Sequence, residues 1–216
     1  LMSRAILWFR NDQRLADNAA LAAALAAHDE VLPLLIIDPR QHGPGPFGFE
    51  RSGPFRRRFI REGIADLGAQ LRAKGSALHV RVGEPAQVIA HLQETWGADA
   101  VHAQQLFARE EQRQEREVVA VADLCLHAPN TLLLPFVLEK LPQVFTAFRH
   151  KVEKLSPVRD PLPEPLRIPS PKEWKGRALD HDVLPHAPIA DDPRAGLRFT
   201  GGRAAALARL KHYLWD

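Results

Sequence analysis

The chain has 216 residues, 45% of them apolar and 25% charged, with a formal net charge of +3. That length allows one or two domains, and a domain of ~150 residues buries roughly 70% of the surface its unfolded chain exposes. The single cysteine, Cys125, excludes an internal disulfide and a cysteine-built zinc site, and no apolar run approaches the ~20 residues of a membrane helix.

The first element is a short apolar run, residues 5–9, of the length and composition of a buried strand. It passes into a charged loop, residues 10–14, and then to Asp17 and Asn18, either of which suits the N-cap of the alanine- and leucine-rich helix that follows to Ala27. Residues 31–37 form a nearly continuous apolar run, the mark of a strand covered on both faces. Pro33 within it argues for an edge position or for the strand's first residues. The segment 38–49 reads as a long loop carrying two aromatics, Phe47 and Phe49. Pro54 is a good first-turn residue. Apolar positions at Phe55, Phe59, Ile60, Ile64, Leu67 and Leu71 predict an amphipathic helix to Lys74, stopped by Gly75. Arg56, Arg57, Arg58 and Arg61 on its first turns read better as a solvated face than as a phosphate patch.

A third strand is expected at residues 77–82 and a helix from Gly83 to Trp96, ended by Gly97. A fourth strand follows at 99–104, then a charged helix opening on Glu110 and Glu111 and running to Ala122, and a short fifth strand at 124–127. This strict alternation predicts an α/β fold, a doubly wound, Rossmann-like, five-stranded parallel sheet of order 3-2-1-4-5. Its ligand crevice is expected at the carboxyl ends of the first and fourth strands, with Arg10, Asp12 and Arg14 on the rim. The G-x-G-x-x-G and G-x-x-x-x-G-K-[ST] phosphate motifs are both absent, which argues against a plain NAD enzyme or an NTPase.

Beyond Asn130 come an apolar stretch, 132–135, and a helix over 143–155. Prolines then crowd residues 156–193, predicting an extended segment that wraps a surface or spans two domains. A further helix begins at Gly201 and runs to Trp215, with nothing of its own to pack against. The expected division is an α/β domain over 1–130, a helix and linker over 131–196, and the start of a second, helical domain from 197. Leu1 ahead of Met2, and the stop at Asp216 inside a helical pattern, suggest a piece of a longer chain.

The run Trp8-Phe9-Arg10-Asn11-Asp12-Gln13-Arg14-Leu15-Ala16-Asp17-Asn18 resembles the opening of the DNA photolyase and cryptochrome family, which reads WFR-x-D-L-R-x-x-D-N. Gln13 stands where that family usually has leucine. Asp38-Pro39-Arg40-Gln41 with Phe47-Gly48-Phe49, and Ser52-Gly53-Pro54-Phe55-Arg56 with Phe59, are similar to the cryptochrome DASH branch. So is the stretch from Leu141 and Pro142 through Phe145 and Phe148-Arg149 to Glu153. Phe199-Thr200-Gly201-Gly202, with Leu207-Ala208-Arg209-Leu210 and Tyr213-Leu214-Trp215, looks like the entry to the family's helical flavin domain. Arg203 replaces the glutamate usual there.

The resemblance implies the N-terminal part of a blue-light flavoprotein, either a deoxyribodipyrimidine photo-lyase that repairs DNA or a photoreceptor. Its α/β domain would bind a light-harvesting antenna chromophore, methenyltetrahydrofolate or a deazaflavin. FAD and the lesion in DNA with pyrimidine dimers would be held by the helical domain. This chain alone would retain no FAD and would be inactive. The family's pterin-binding carboxylate maps to Glu111, beside Glu110, with Phe47 and Phe49 as candidate ring contacts. Carboxylates also suit a helix start on dipole grounds alone. No catalytic residue and no metal ligand is assigned, and the histidines read as structural or solvated. The resemblance further implies a monomer without membrane contact, and a cytoplasmic location. Two other readings stand beside this one, a free-standing nucleotide- or flavin-binding module and a non-repairing signalling cryptochrome.

Overall fold

A computed structural model describes residues 2–127, 131, 140–155, 158–172, 184, 194 and 198–215. The apolar run after Thr131 and most of the proline-rich stretch lie outside them. The elements are β1 (Arg4–Phe9), α1 (Ala19–Ala27), β2 (Glu30–Ile37), α2 (Pro39–His42), α3 (Pro54–Ala73), β3 (His79–Val82), α4 (Pro85–Trp96), β4 (Ala100–Gln104), α5 (Arg109–Val119), β5 (Leu124–His127), α6 (Phe145–Leu155) and α7 (Arg203–Trp215). The five strands pair in parallel in the order β3-β2-β1-β4-β5, as the alternation predicted.

β1 is central, so both its faces are covered, and a continuous apolar run satisfies both. Leu7 and Phe9 enter one core with Leu21 and Ala24 of α1 and Ile64, Leu67 and Leu71 of α3. Ile6 and Trp8 enter the opposite core with Ile89, Leu92 and Trp96 of α4 and Val118 of α5. Asn18 caps α1, its side chain accepting from the Leu21 amide at 3.0 Å. Asp17 does not share the cap; it sits at φ 53°, in the left-handed region. α4 ends on Gly97 at φ 72°, where a side chain would be strained.

β2 is an inner strand despite Pro33, which pairs in register with Leu7. β3 begins opposite Leu34, one residue later. The Val31 amide, pointing to the β3 side, donates to Pro169 O at 2.8 Å, and Ser170 Oγ donates to Val31 O at 2.9 Å. Two residues on, position 33 points the same way, at a level where β3 has not started. The donor that proline lacks has no strand acceptor to miss.

The described part of the proline-rich segment lies along the α/β domain. Ile168 is fully buried in the core of α1 and α3. Its amide donates to Lys74 O at 3.1 Å, and Asp17 exchanges backbone and side-chain bonds with Leu162 and Arg159. Burial raises the Asp17 carboxyl, but the bonds from Arg159 and Leu162 outweigh it and hold the group below the usual carboxylate range. α7, expected to have nothing of its own to pack against, instead packs its N-terminal end on α3.

Candidate functional site

A cleft of about 470 Å³ opens at the carboxyl ends of β1 and β2. Its walls are the 10–14 loop, the first turns of α3, the β4–α5 connection and the first turn of α7. The size falls within the ~300–1,000 Å³ of small-molecule sites. The expected crevice between β1 and β4 is displaced toward β2, because Arg10 fills the gap. The Arg10 guanidinium pairs with Glu115, donates to Gln104 O at 3.2 Å and to Glu111 O at 3.0 Å, and lies 4.6 Å from the Trp8 ring centroid. Leu106, Glu111 and Gln114 are the cleft's contribution from beyond that bridge.

The loop floor is rigid for identifiable reasons. Asp12 is buried and accepts from the Arg10 amide at 3.0 Å and from Asn18 Nδ2 at 3.2 Å. Burial raises its carboxyl, against the pull of these bonds and of Arg14 and Arg10. Asp38, at the end of β2, accepts from Gln114 at 2.9 Å and from Arg40. Burial acts to raise it, and the Arg40 and Gln114 bonds prevail and lower it. Arg40 also reaches Glu84 and Glu117, tying α2 to the start of α4 and the last turn of α5.

Arg10, Asp12, Arg14 and Glu111 all line the cleft. Oε2 of Glu111 is shielded from solvent and has no hydrogen-bond partner among the described residues. Glu110 does not line the cleft; it pairs with Arg51 of the 43–53 loop, which also donates to Arg40 O at 2.8 Å. Phe47 and Phe49 do not line it either. They stand 85% and 79% exposed on a small turn closed by Gly45 N–H donating to Phe49 O at 2.6 Å. Phe59, which helical periodicity had assigned to the core, lines the cleft together with Trp8 and Phe9 of β1. Phe55 and Phe59 are about half exposed, ahead of the buried positions of α3, which begin at Gly63. Of the α3 arginines, Arg57 pairs with Glu50, Arg58 with Glu62, and Arg61 donates to Leu184 O at 3.1 Å, while Arg56 lines the cleft. Gln13 of the 10–14 loop and Arg203, both departures from the family pattern, also line it, as do His42 and Gly63, which no pattern in the sequence had marked.

Away from the cleft three histidines form a chain, in keeping with a structural reading of them. His28 Nε2 lies 3.2 Å from His102 Nε2, and His102 Nδ1 lies 2.9 Å from His127 Nε2. Burial, with His127 and His28 beside it, pushes His102 down to about 4. Among the described residues no group of histidine, cysteine or carboxylate side chains could hold a metal ion, and no helix is long and apolar enough to cross a membrane.

The family model for DNA photolyase matches residues 5–167. The chain is 39% identical to a cryptochrome DASH of Gloeobacter violaceus, over 98% of this chain and 44% of that protein. It is 36% identical to one of Natronomonas pharaonis, over 100% and 48% respectively. The fold superposes on a crystal structure of a Synechocystis cryptochrome with a TM-score of 0.89 at 30% identity, covering 100% of this chain and 47% of that one. A photolyase from Sulfolobus tokodaii, solved with two FAD molecules, matches with a TM-score of 0.75 at 27% identity, covering 96% of this chain and 46% of that one. The chain thus spans about half the length of the curated relatives it matches. The run that opens on Trp8-Phe9-Arg10, the sheet order and these matches agree: the chain belongs to the DNA photolyase family, among proteins most like cryptochrome DASH.

Proposed function

We propose that this chain is the α/β part of a light-driven, FAD-dependent protein of the cryptochrome DASH kind, and that its cleft holds a light-harvesting antenna of the folate class. The observation that carries the antenna reading is the unpartnered, solvent-shielded Oε2 of Glu111 in a cleft of ligand size. A buried acceptor without a donor costs ~1–3 kcal/mol, and a ligand that brings N–H groups recovers it. The amino and ring N–H edge of a pterin is such a donor set, so the residues present fit the group. Phe59 offers an aromatic face on the same cleft, and Arg14, Arg56 and Arg203 supply positive charge for a carboxylate-bearing tail. Arg10 and Glu115 hold the start of α5, and so Glu111, in place against β1. When bound, the chromophore absorbs near-ultraviolet light; the chain's own residues bind it, orient it and keep water from its donor edge.

The test is a near-ultraviolet absorbance titration of the chain with methenyltetrahydrofolate. Glu111→Gln keeps the shape but loses the charged acceptor, and it should weaken binding about tenfold, the worth of one charge-assisted hydrogen bond of ~1.5 kcal/mol. Equal affinity in the two proteins would remove Glu111 from the site. Tighter binding of FAD than of the folate in a parallel titration would replace the folate class by a flavin. Repair of pyrimidine dimers in DNA, and the FAD that drives it, belong in this proposal to the longer protein.

A further inference from the structure

α7 is attached to the domain through its first turn. The Gly201 amide donates to Glu62 Oε2 at 2.7 Å, and the Arg203 amide donates to Asp66 Oδ2 at 2.7 Å. Both carboxylates belong to α3, and they meet the positive end of α7, which favours negative charge. The turn admits only glycine. A Cβ at Gly201 would lie 2.0 Å from Phe59 O, and Gly202 has φ +101°, with a Cβ there 2.6 Å from Asp66 Cβ. No described α7 residue is buried; Leu207, Leu210 and Leu214 are about half exposed, and Trp215 is 78% exposed. The same first turn lines the cleft through Gly202, Arg203 and Ala206, and Gly63, beside Gly201, lines it as well.

We infer that Gly201, Gly202, Glu62 and Asp66 form a docking joint that closes the α7 wall of the cleft, which makes them positioning residues for whatever the cleft binds. The joint is narrow, two hydrogen bonds and one close backbone approach, so it opens and shuts without disturbing the sheet. The cleft needs the joint shut to be a cleft: with α7 unseated, Gln13 and Gly63 face solvent. A ligand that touches both α7 and the 10–14 loop therefore favours the seated state, and by reciprocity seating favours the ligand. That last consequence rests on the antenna reading; the joint itself does not.

The test places a reporter in the cleft, Gln13→Cys in a Cys125→Ser background, and follows its alkylation by iodoacetamide. Two joint variants are added separately, Gly202→Val and the double change Glu62→Ala with Asp66→Ala. Each should raise the alkylation rate at least tenfold while circular dichroism keeps its α/β signature. A control at the far end of α7, Tyr213→Ser, should stay within twofold. Unchanged alkylation in the folded joint variants would overturn the joint. In the ligand arm, methenyltetrahydrofolate should bind the joint variants at least fivefold more weakly. It should also slow hydrogen exchange of the amides at 203–206 in the parent. Faster alkylation with no folate uptake by the parent would leave the joint standing and remove the antenna reading. Folate uptake with unchanged alkylation would do the reverse.

Discussion

Arg10 ties the end of β1 to the segment that leads from β4 into α5. It is buried with Glu115, and it reaches from the end of β1 to the carbonyls of Gln104 and Glu111. Glu115 in turn accepts from the Leu106 amide at 3.0 Å. Breaking a buried pair from one side strands the other charge, at a cost of about 3–5 kcal/mol. Glu115→Leu should therefore lower stability by about 3 kcal/mol in urea denaturation. Adding Arg10→Met should restore part of the loss, because the stranded guanidinium is then gone. A double variant less stable than Glu115→Leu would show that the arginine is held by its carbonyl contacts and not by the ion pair. Asp17 teaches the same lesson more quietly. Its residue type suits an N-cap, yet its side chain is spent on Arg159 and Leu162, and Asn18 caps the helix alone.

At the scale of elements, the chain His28–His102–His127 ties the C-terminus of α1 to β4 and β5. The rings of His102 and His127 stack at 5.0 Å, and His28 meets His102 edge-on. Burial and the two neighbouring rings hold His102 at about 4, against 6.5 when unperturbed. Burial lowers His127 as well. Between those pH values the unfolded chain binds the proton and the folded chain does not. The contribution is complete above the unfolded value and is lost as pH falls toward about 4, where the loss levels off. At ~1.4 kcal/mol for each unit, His102 accounts for up to about 3 kcal/mol of acid sensitivity. His102→Leu should therefore flatten the fall in urea midpoint between pH 7.5 and 4.5. An equally steep fall in the variant would assign the acid sensitivity to other groups.

For the whole molecule, the small positive charge excess predicts weak, salt-sensitive contact with DNA. Lesion repair also needs a reduced flavin within contact distance of an extruded base pair, and extrusion itself costs a few kcal/mol. The described residues form a cleft of small-molecule size, and the curated relatives are about twice as long as this chain. The 216 residues alone should therefore retain no FAD through gel filtration and split no thymine dimers under blue light. Turnover of a dimer-containing oligonucleotide by this chain with added reduced FAD would place the chemistry inside it and overturn the assignment.

The strands, the longer helices, the sheet order and the family were legible in the sequence, because they depend on local patterns; the four-residue helix Pro39–His42, inside a stretch expected to be loop, was not. An apolar run such as residues 5–9 must be covered on both sides, and the alternation with capped helices leaves few topologies. The approach of Glu111 to a ligand crevice came from resemblance, and the tertiary structure added that its Oε2 is shielded and unpartnered. Other features depended on contacts between distant segments. Phe59 and Arg56 reach the cleft from the first turns of α3, ahead of its buried positions from Gly63 onward, which no periodicity records. Phe47 and Phe49 turn outward because their short turn closes on itself through Gly45. The histidines lie 74 and 25 residues apart and meet only where α1 crosses β4 beside β5. Gly201 and Gly202 read from the sequence as a helix start; only their approach to Phe59 O and Asp66 makes them a joint. Local order follows from residue type and spacing, whereas a site is assembled from side chains whose nearness is decided by packing alone.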